Sequence, residues 1–206
     1  MPPADASHPP SPPCHVHKFG GSSLADASLY RDAAALVGDP SRTRVVVVSA
    51  MQGVTDGLIA LLDMARAGAP WQPAFDAVRA RHFEAADAID GGRCLSLHAG
   101  LDEEFEELHA HLTGIARGAR VLEPGIAGFG EAFSSRLMHA TLGGSAAGWH
   151  RLDARDVLTV HDQLQRDRTA QMIGLSDLHA LTQYLPGASG VRQYALIVRD
   201  FAPRPK

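Results

Sequence analysis

The chain has 206 residues, 45% of them hydrophobic and 20% charged, which is globular composition with enough length for one sizeable core and excludes a disordered or fibrous protein. Lysine and arginine number 19 against 23 aspartates and glutamates, and the resulting net charge of −4 argues against nucleic acid or a membrane surface as a partner. Two cysteines, a longest apolar run of only Val45 to Ala50, and a start without signal-peptide character together predict a cytoplasmic protein.

The first predicted elements follow a proline-rich lead-in. Residues 1–13 hold six prolines, which disfavour helix and central strand alike, so we predict that this segment is disordered. The run from His15 to Phe19 predicts a short strand that ends at a glycine pair. Apolar spacing from Ala25 to Val37 predicts a helix, with Asp26 among its start signals.

A second strand and helix come next. Thr43 to Ala50 contains four consecutive valines without alternation, which is typical of a strand covered on both faces at the centre of a parallel sheet. Apolar residues from Leu58 to Ala65 predict an amphipathic helix. Two such units in a row predict an α/β domain with right-handed crossovers.

The remaining pattern predicts mainly helices. Asp102, Glu103 and Glu104 are interpreted as the acidic start of one of them, where negative charge suits the helix dipole. Beyond about Val160 the periodicity weakens. In chain order the predicted elements are helices over Ala74–Ile89, Leu101–Ile115 and Ile126–Leu142, a strand over Gly148–Leu152, a helix over Ile173–Tyr184 and a strand over Tyr194–Val198.

The glycine pair after the first strand is a candidate anion site. Gly20 and Gly21 leave backbone N–H groups able to converge on a phosphate, and the hydroxyl of Ser22 lies beside them. Lys18, at the carboxyl end of the strand, would bring a positive charge to a phosphoryl group in transfer. The alternative is a plain tight turn with a lysine that faces solvent.

Two further candidate positions come later in the chain. The turn from Ser49 to Asp56 follows a buried strand, where open α/β sheets bind their ligands, but Thr55 or Asp56 could instead only cap the next helix. Glu131 lies beside a glycine at the start of an apolar helix. Its alternative is a role as partner of the helix dipole.

Three spaced motifs resemble the aspartate kinases. The first is His-Lys-Phe-Gly-Gly-Ser-Ser-Leu-Ala-Asp over residues 17–26, the second covers residues 47–56, and the third is Gly-Glu followed by Ser-Ser-Arg-Leu over residues 130–137. The residues of the first motif are most similar to those in the kinase portion of the bifunctional aspartokinase–homoserine dehydrogenases. The resemblance covers about residues 16–160.

The resemblance implies an α/β, three-layer amino acid kinase fold with a mainly parallel sheet. It also implies the reaction of ATP, with Mg²⁺ accompanying the nucleotide, and L-aspartate to ADP and 4-phospho-L-aspartate, at the entry to lysine, threonine and methionine. Lys18 would hold the transferred phosphoryl group and act as the catalytic residue. The other inherited positions would be Gly20, Gly21 and Ser22 at the phosphates and Ser49, Thr55 and Glu131 at the aspartate.

The resemblance stops before the end of the chain. We assign residues 14–160 to the N-terminal part of an amino acid kinase domain and leave residues 161–206 as an unassigned tail. A truncated or frame-shifted product would have such a tail. The family's later Gly-Arg-x-Gly-Ser-Asp loop and Thr-Asp-Val-Asp segment are absent from the sequence.

Because these parts are absent, we consider two hypotheses. The chain is either an aspartate kinase or a catalytically inactive remnant that at most binds nucleotide or self-associates as a homo-oligomer. A kinase for another amino acid, such as acetylglutamate, is a weaker option. No protein-borne metal site is predicted, because Cys14, His15 and His17 alternate along a strand and point in two directions.

Overall fold

The computed structural model describes residues 14–37, 43–91, 95–120, 123–152 and 193–197. The predicted lead-in, the predicted helix over Ile173–Tyr184 and most of the 161–206 tail lie outside the described residues. The elements in chain order are β1 (Cys14–Phe19), a 3₁₀ turn (Gly21–Leu24), α1 (Ala27–Ala35), β2 (Thr43–Val48), α2 (Val54–Arg66), α3 (Gln72–Asp90), α4 (Leu95–Ala116), α5 (Glu123–Ala127), α6 (Phe129–Thr141), a second 3₁₀ turn (Gly144–Ala147), β3 (Trp149–Leu152) and β4 (Gln193–Ile197).

The four strands form one sheet in the order β1-β2-β4-β3, and all three neighbouring pairs are parallel. This confirms the predicted parallel sheet. β2 pairs with β1 on one side and β4 on the other, and its valines from Val45 to Val48 are buried, so the predicted central strand is confirmed. The strand predicted over Tyr194–Val198 is present as β4, and it lies between β2 and β3.

The core lies between the sheet and the helices. α6 packs against β2, β3 and β4 and also against α3 and α4. At the centre of the helices, the rings of Phe105 and Phe133 are stacked with centroids 4.1 Å apart, and Phe129 packs at 6.0 Å from Phe133. None of the described helices combines the length and the apolar character needed to cross a bilayer.

Two helix boundaries differ from the prediction. α4 begins at Leu95 rather than Leu101, because Leu97 and Leu101 belong to one buried apolar stripe. The predicted acidic helix start is therefore wrong: Asp102 and its two neighbours lie well inside α4, where the dipole has little effect. The helix predicted over Ile126–Leu142 is divided into α5 and α6 at Gly128.

Candidate functional site

The carboxyl ends of β1 and β2 bring two of the predicted site residues together. Lys18 is exposed near the end of β1, and its Nζ donates to Ser49 Oγ at 2.7 Å and to the carbonyl of Phe19 at 3.1 Å. The backbone N–H of Ser49 donates to the same carbonyl at 3.1 Å. Because parallel strands end at the same sheet edge, these contacts join the two predicted turns.

The glycine turn, residues 20–25, contains a short 3₁₀ helix that the sequence did not predict. The N–H of Ser23 donates to the carbonyl of Gly20 at 3.0 Å and closes a 3₁₀ turn before any α-helix begins. α1 starts only at Ala27, where Asp26 caps it by accepting from the N–H groups of Ser28 at 2.8 Å and Leu29 at 3.0 Å. Ser22 lies exposed on the 3₁₀ turn.

The two glycines of this turn have different surroundings. A methyl group on Gly21 would lie 2.8 Å from the carbonyl oxygen of Ala50 and 3.5 Å from the N of Gln52, so close packing requires glycine there. Gly20 has φ −82° and ψ 168°, and a methyl group on it would meet no atom of the described residues within 4 Å. The fold therefore does not itself require glycine at position 20.

Glu131 reaches the second turn, residues 49–53, from α6. Its side chain is 1% exposed, and Oε1 accepts a hydrogen bond from the N–H of Ala50 at 3.3 Å. A methyl group on Gly130 would lie 2.7 Å from Ala50 Cβ and 3.2 Å from Val54 Cγ1, so the start of α6 is pressed against this turn. Glu131 is thus more than a partner of the helix dipole, because it also fixes the backbone beside Ser49.

The start of α2 does not place Thr55 or Asp56 at its N-cap. α2 begins at Val54 and its N-cap is Gly53, in the left-handed region at φ +77°, so that both residues lie in the first turn of the helix. Thr55 is half-buried in the first turn of α2, next to Val54, which faces Gly130. Thr55 therefore lies on the element that carries the second turn into the core.

Arg81 on α3 contacts both turns, and the sequence did not predict this. Its Nη1 donates to the carbonyl of Gln52 at 2.7 Å, and its Nη2 donates to the carbonyl of Ala25 at 3.0 Å. An arginine within a long helix has no distinctive sequence signal, and its acceptors are backbone atoms, so no motif could have indicated it.

A second missed contact lies beneath the site. Tyr30 on α1 is fully buried, and its hydroxyl is 2.6 Å from the hydroxyl of Ser134 on α6. Burial raises the pKa of Tyr30 although the hydrogen bond with Ser134 opposes the shift, so the phenol stays neutral and joins the two helices.

One group of described residues has metal-ligand chemistry. Asp87 and Asp90 at the end of α3 and His98 near the start of α4 bring three ligand atoms within 4.8 Å of one another. His98 Nε2 and Asp87 Oδ1 are 2.8 Å apart and already form a pair. This group is outside the two turns, so it gives no metal ligand to the candidate site.

Comparison with known proteins relates the whole arrangement to one family. The family model for the amino acid kinase family matches residues 13–186. The chain is 34% identical over 151 residues to bifunctional aspartokinase/homoserine dehydrogenase 1, chloroplastic, of Arabidopsis thaliana, covering 70% of this chain and 17% of that protein. It is 28% identical over 176 residues to lysine-sensitive aspartokinase 3 of Escherichia coli, covering 83% of this chain and 37% of that protein.

Solved structures show a likeness of fold. The crystal structure of Escherichia coli aspartokinase III in complex with lysine and aspartate matches with a TM-score of 0.67 at 23% identity, over 89% of this chain and 40% of that one. A structure of the same enzyme in complex with aspartate and ADP also gives a TM-score of 0.67, at 22% identity. The chain thus spans 17% to 40% of the length of these relatives.

Proposed function

We propose, from the premise that this chain belongs to the amino acid kinase family, that its two turns bind ATP and L-aspartate for phosphoryl transfer. The predicted resemblance to aspartate kinases and the predicted kinase fold with a mainly parallel sheet are confirmed by the comparisons. The products of the proposed reaction are ADP and 4-phospho-L-aspartate. Its place in lysine, threonine and methionine synthesis, and the cytoplasm as its compartment, belong to the same proposal.

The observation that carries the proposal is the position of Lys18 beside Gly20. The ammonium group lies at the shared carboxyl edge of β1 and β2, where ligands bind in open α/β sheets. The fold does not require glycine at position 20, but a phosphate that approaches the backbone closely there would require one. The charge and the open space together fit a nucleotide phosphate.

Phosphoryl transfer requires the protein to align the two substrates and to neutralise the charge of the transferring group. An oxygen of the aspartate side-chain carboxylate attacks the γ-phosphorus of ATP, and the bond from that phosphorus to the β–γ bridging oxygen breaks, so that ADP leaves with the electron pair. Lys18 neutralises the transferring group, while the N–H groups of Gly20 and Gly21 and the hydroxyl of Ser22 hold the phosphates. Mg²⁺ enters with the nucleotide, and we assign it no ligand among the described residues.

The burial and charge of Glu131 fit the second substrate, L-aspartate. A carboxylate with 1% exposure is a strong partner for an ammonium group, because little water competes for its charge. The contact with the N–H of Ala50 holds that carboxylate in place. In the proposal Glu131 binds the α-ammonium group of aspartate, and the hydroxyls of Ser49 and Thr55 bind its carboxylates.

A second candidate function is nucleotide binding without turnover. The sequence lacks the family's Gly-Arg-x-Gly-Ser-Asp loop, whose arginine would neutralise part of the developing charge. The absence of this arginine favours a chain that holds ATP at Lys18 but transfers phosphate slowly or not at all.

The test combines calorimetric titration of the purified chain with Mg·ATP and an assay in which hydroxylamine traps the acyl phosphate. Lys18→Ala is expected to weaken ATP binding by roughly tenfold or more, since it removes a charge-assisted contact. Gly20→Ala is expected to weaken binding similarly while leaving the free energy of unfolding unchanged. Arg66→Ala, which removes an exposed cation at the end of α2, is the control.

The two candidate functions give different outcomes. Turnover that Lys18→Ala abolishes supports the kinase, whereas ATP binding without trapped product supports the second candidate. A folded chain that binds no ATP contradicts both.

A further inference from the structure

We propose that Arg81 is a positioning residue that holds the glycine turn and the second turn at the separation which substrate binding requires. The inference rests on the proposed function, in which the first turn holds phosphates and the second turn holds aspartate. Arg81 lies on α3, outside both turns, and donates to backbone carbonyls of each. It therefore acts on the site through the backbone and not by touching a substrate.

The geometry of the guanidinium fits this role. Nη1 is 2.7 Å from the carbonyl oxygen of Gln52, and Nη2 is 3.0 Å from the carbonyl oxygen of Ala25. The guanidinium is rigid and planar, so two nitrogens of one group define the distance between two acceptors. A lysine ammonium, a single point on a flexible stem, cannot define that distance in the same way.

The two turns are also in direct contact. A methyl group on Gly21 would lie 2.8 Å from the carbonyl oxygen of Ala50 and 3.5 Å from the N of Gln52. Van der Waals contact at Gly21 limits how closely the turns approach, and the hydrogen bonds of Arg81 limit how far they separate. The separation is therefore fixed from both directions.

α3 itself is held firmly at this position. His82, the next residue, is fully buried, with its ring 4.9 Å from that of Phe133 and 5.5 Å from that of Phe105. The backbone beneath Arg81 is thus anchored in the aromatic core shared by α3, α4 and α6. A guanidinium carried by a firmly packed helix can hold loops in place without moving with them.

The site residues depend on the separation. Lys18 Nζ reaches Ser49 Oγ from the strand before the glycine turn, and Glu131 holds Ala50 in the second turn. If the turns drift apart, the phosphates at Gly20 and the aspartate at Glu131 no longer meet in line. We expect loss of Arg81 to weaken substrate binding although no substrate contact is removed.

Amide hydrogen exchange tests the proposal without any ligand. The N–H groups of Ser23 and Val54 are bonded inside the two turns, to the carbonyls of Gly20 and Met51 at 3.0 Å each. In Arg81→Ala both amides are expected to exchange roughly tenfold faster, because two charge-assisted bonds are lost, while amides of α4 and α6 keep their protection. Arg79→Ala, which removes an arginine of the same helix paired with Asp102, is the matched control.

A conservative variant covers the case in which Arg81→Ala does not fold. Arg81→Lys keeps the charge but not the fork, and it is expected to loosen both turns to a smaller extent. Unchanged exchange of the Ser23 and Val54 amides in a folded variant overturns the proposal. Loss of protection throughout the core in both variants also overturns it, because Arg81 would then serve the whole fold.

ATP titration adds a readout that separates positioning from direct contact. Arg81→Ala is expected to raise the Kd for Mg·ATP by roughly tenfold without changing how Kd depends on salt, whereas Lys18→Ala reduces the salt dependence. A reduced salt dependence in Arg81→Ala would indicate phosphate contact and overturn the positioning role. If the native chain binds no ATP, the proposed function fails, and hydrogen exchange still decides the role of Arg81.

Discussion

Lys18 and Ser49 are 31 positions apart, yet their side chains are 2.7 Å apart. Their proximity could be predicted, since both follow strands with a parallel-sheet pattern and such strands share one carboxyl edge. Arg81 could not be predicted, because its acceptors are carbonyls in segments with no matching pattern. At the residue scale, the sequence indicates which side chains lie at the ends of strands. It does not indicate which backbone atoms a side chain on a helix will contact.

His82 is the clearest pH-dependent residue. Its Nδ1 lies 2.7 Å from the carbonyl of Val78, and its ring is enclosed by Phe105 and Phe133. Burial lowers the pKa of His82 to about 4; the Val78 carbonyl opposes the shift and the charge of Arg81 adds to it. The folded state therefore keeps this histidine neutral under conditions in which the unfolded chain protonates it.

The sign of the effect follows from linkage. Above pH 6.5 neither state binds the proton, and between about pH 6.5 and pH 4 only the unfolded state does, so stability falls as the pH is lowered. We expect a loss of about 3 kcal/mol over this range. Urea unfolding at several pH values would show it.

Substitution isolates the contribution of His82. In His82→Gln the decrease in stability between pH 6.5 and pH 4 should be smaller by that amount. An equally steep decrease in His82→Gln would contradict the assignment.

At the scale of elements, the contact between the start of α6 and the second turn sets the position of Glu131. A methyl group on Gly130 would lie 2.7 Å from Ala50 Cβ, 3.2 Å from Val54 Cγ1 and 3.3 Å from Leu58 Cδ1. Replacement of glycine by alanine inside a helix normally stabilises it by about 1 kcal/mol. Here the close contacts with the second turn and α2 should reverse the sign of the effect.

We predict that Gly130→Ala destabilises the protein by about 1 to 3 kcal/mol, the usual range for overpacking. Gly114→Ala in α4 is the matched control, because its methyl group would meet Ala119 Cβ at an ordinary 3.6 Å and should not destabilise the protein. Thermal or urea unfolding of both variants measures the difference. A stabilised Gly130→Ala would show that α6 can move away from the turn at little cost.

Element types were more predictable than element limits. The glycines Gly143 and Gly144, with φ +92° and +61°, end α6 as expected. The start of α4 was misplaced because acidic residues resemble a helix start, whereas Glu104 in fact lies buried at 7% exposure. A local pattern cannot reveal that a carboxylate has basic partners elsewhere in the fold.

At the scale of the whole molecule, Glu104 joins three elements. Its Oε1 accepts from Arg151 Nη2 of β3 at 2.8 Å and lies 2.7 Å from Arg136 Nε of α6, the latter as a charge contact without hydrogen-bond alignment. Arg151 also donates to Ser135 Oγ at 3.3 Å. One carboxylate thus connects α4, α6 and the edge of the sheet.

Glu104→Gln removes the charge and leaves two guanidinium groups beside each other. We expect a loss of about 3 kcal/mol, at the low end for a broken buried pair, since both arginines keep partial exposure. Asp102→Asn, also on α4, breaks the exposed pair with Arg79 of α3 and should cost less than about 1 kcal/mol. Equal effects in urea unfolding would contradict a special role for Glu104.

The parallel sheet and its central strand could be predicted from four consecutive valines, but the strand order could not. β4 is contributed by residues 193–197, and nothing local to them indicates that they pair between β2 and β3. Strand order is a non-local property, because it depends on pairing between strands that are far apart in the sequence.

The place of β4 has a consequence for synthesis on the ribosome. While residues 193–197 are still unmade, the far edge of β2 lacks the partner it has in the finished protein, and β3 lacks the neighbour that ties it to the sheet. A nascent chain therefore displays a valine-rich ladder of unpaired amides and carbonyls, which is a template for aggregation. Chaperones that shield emerging polypeptides should be needed until residues 193–197 have been made and can pair.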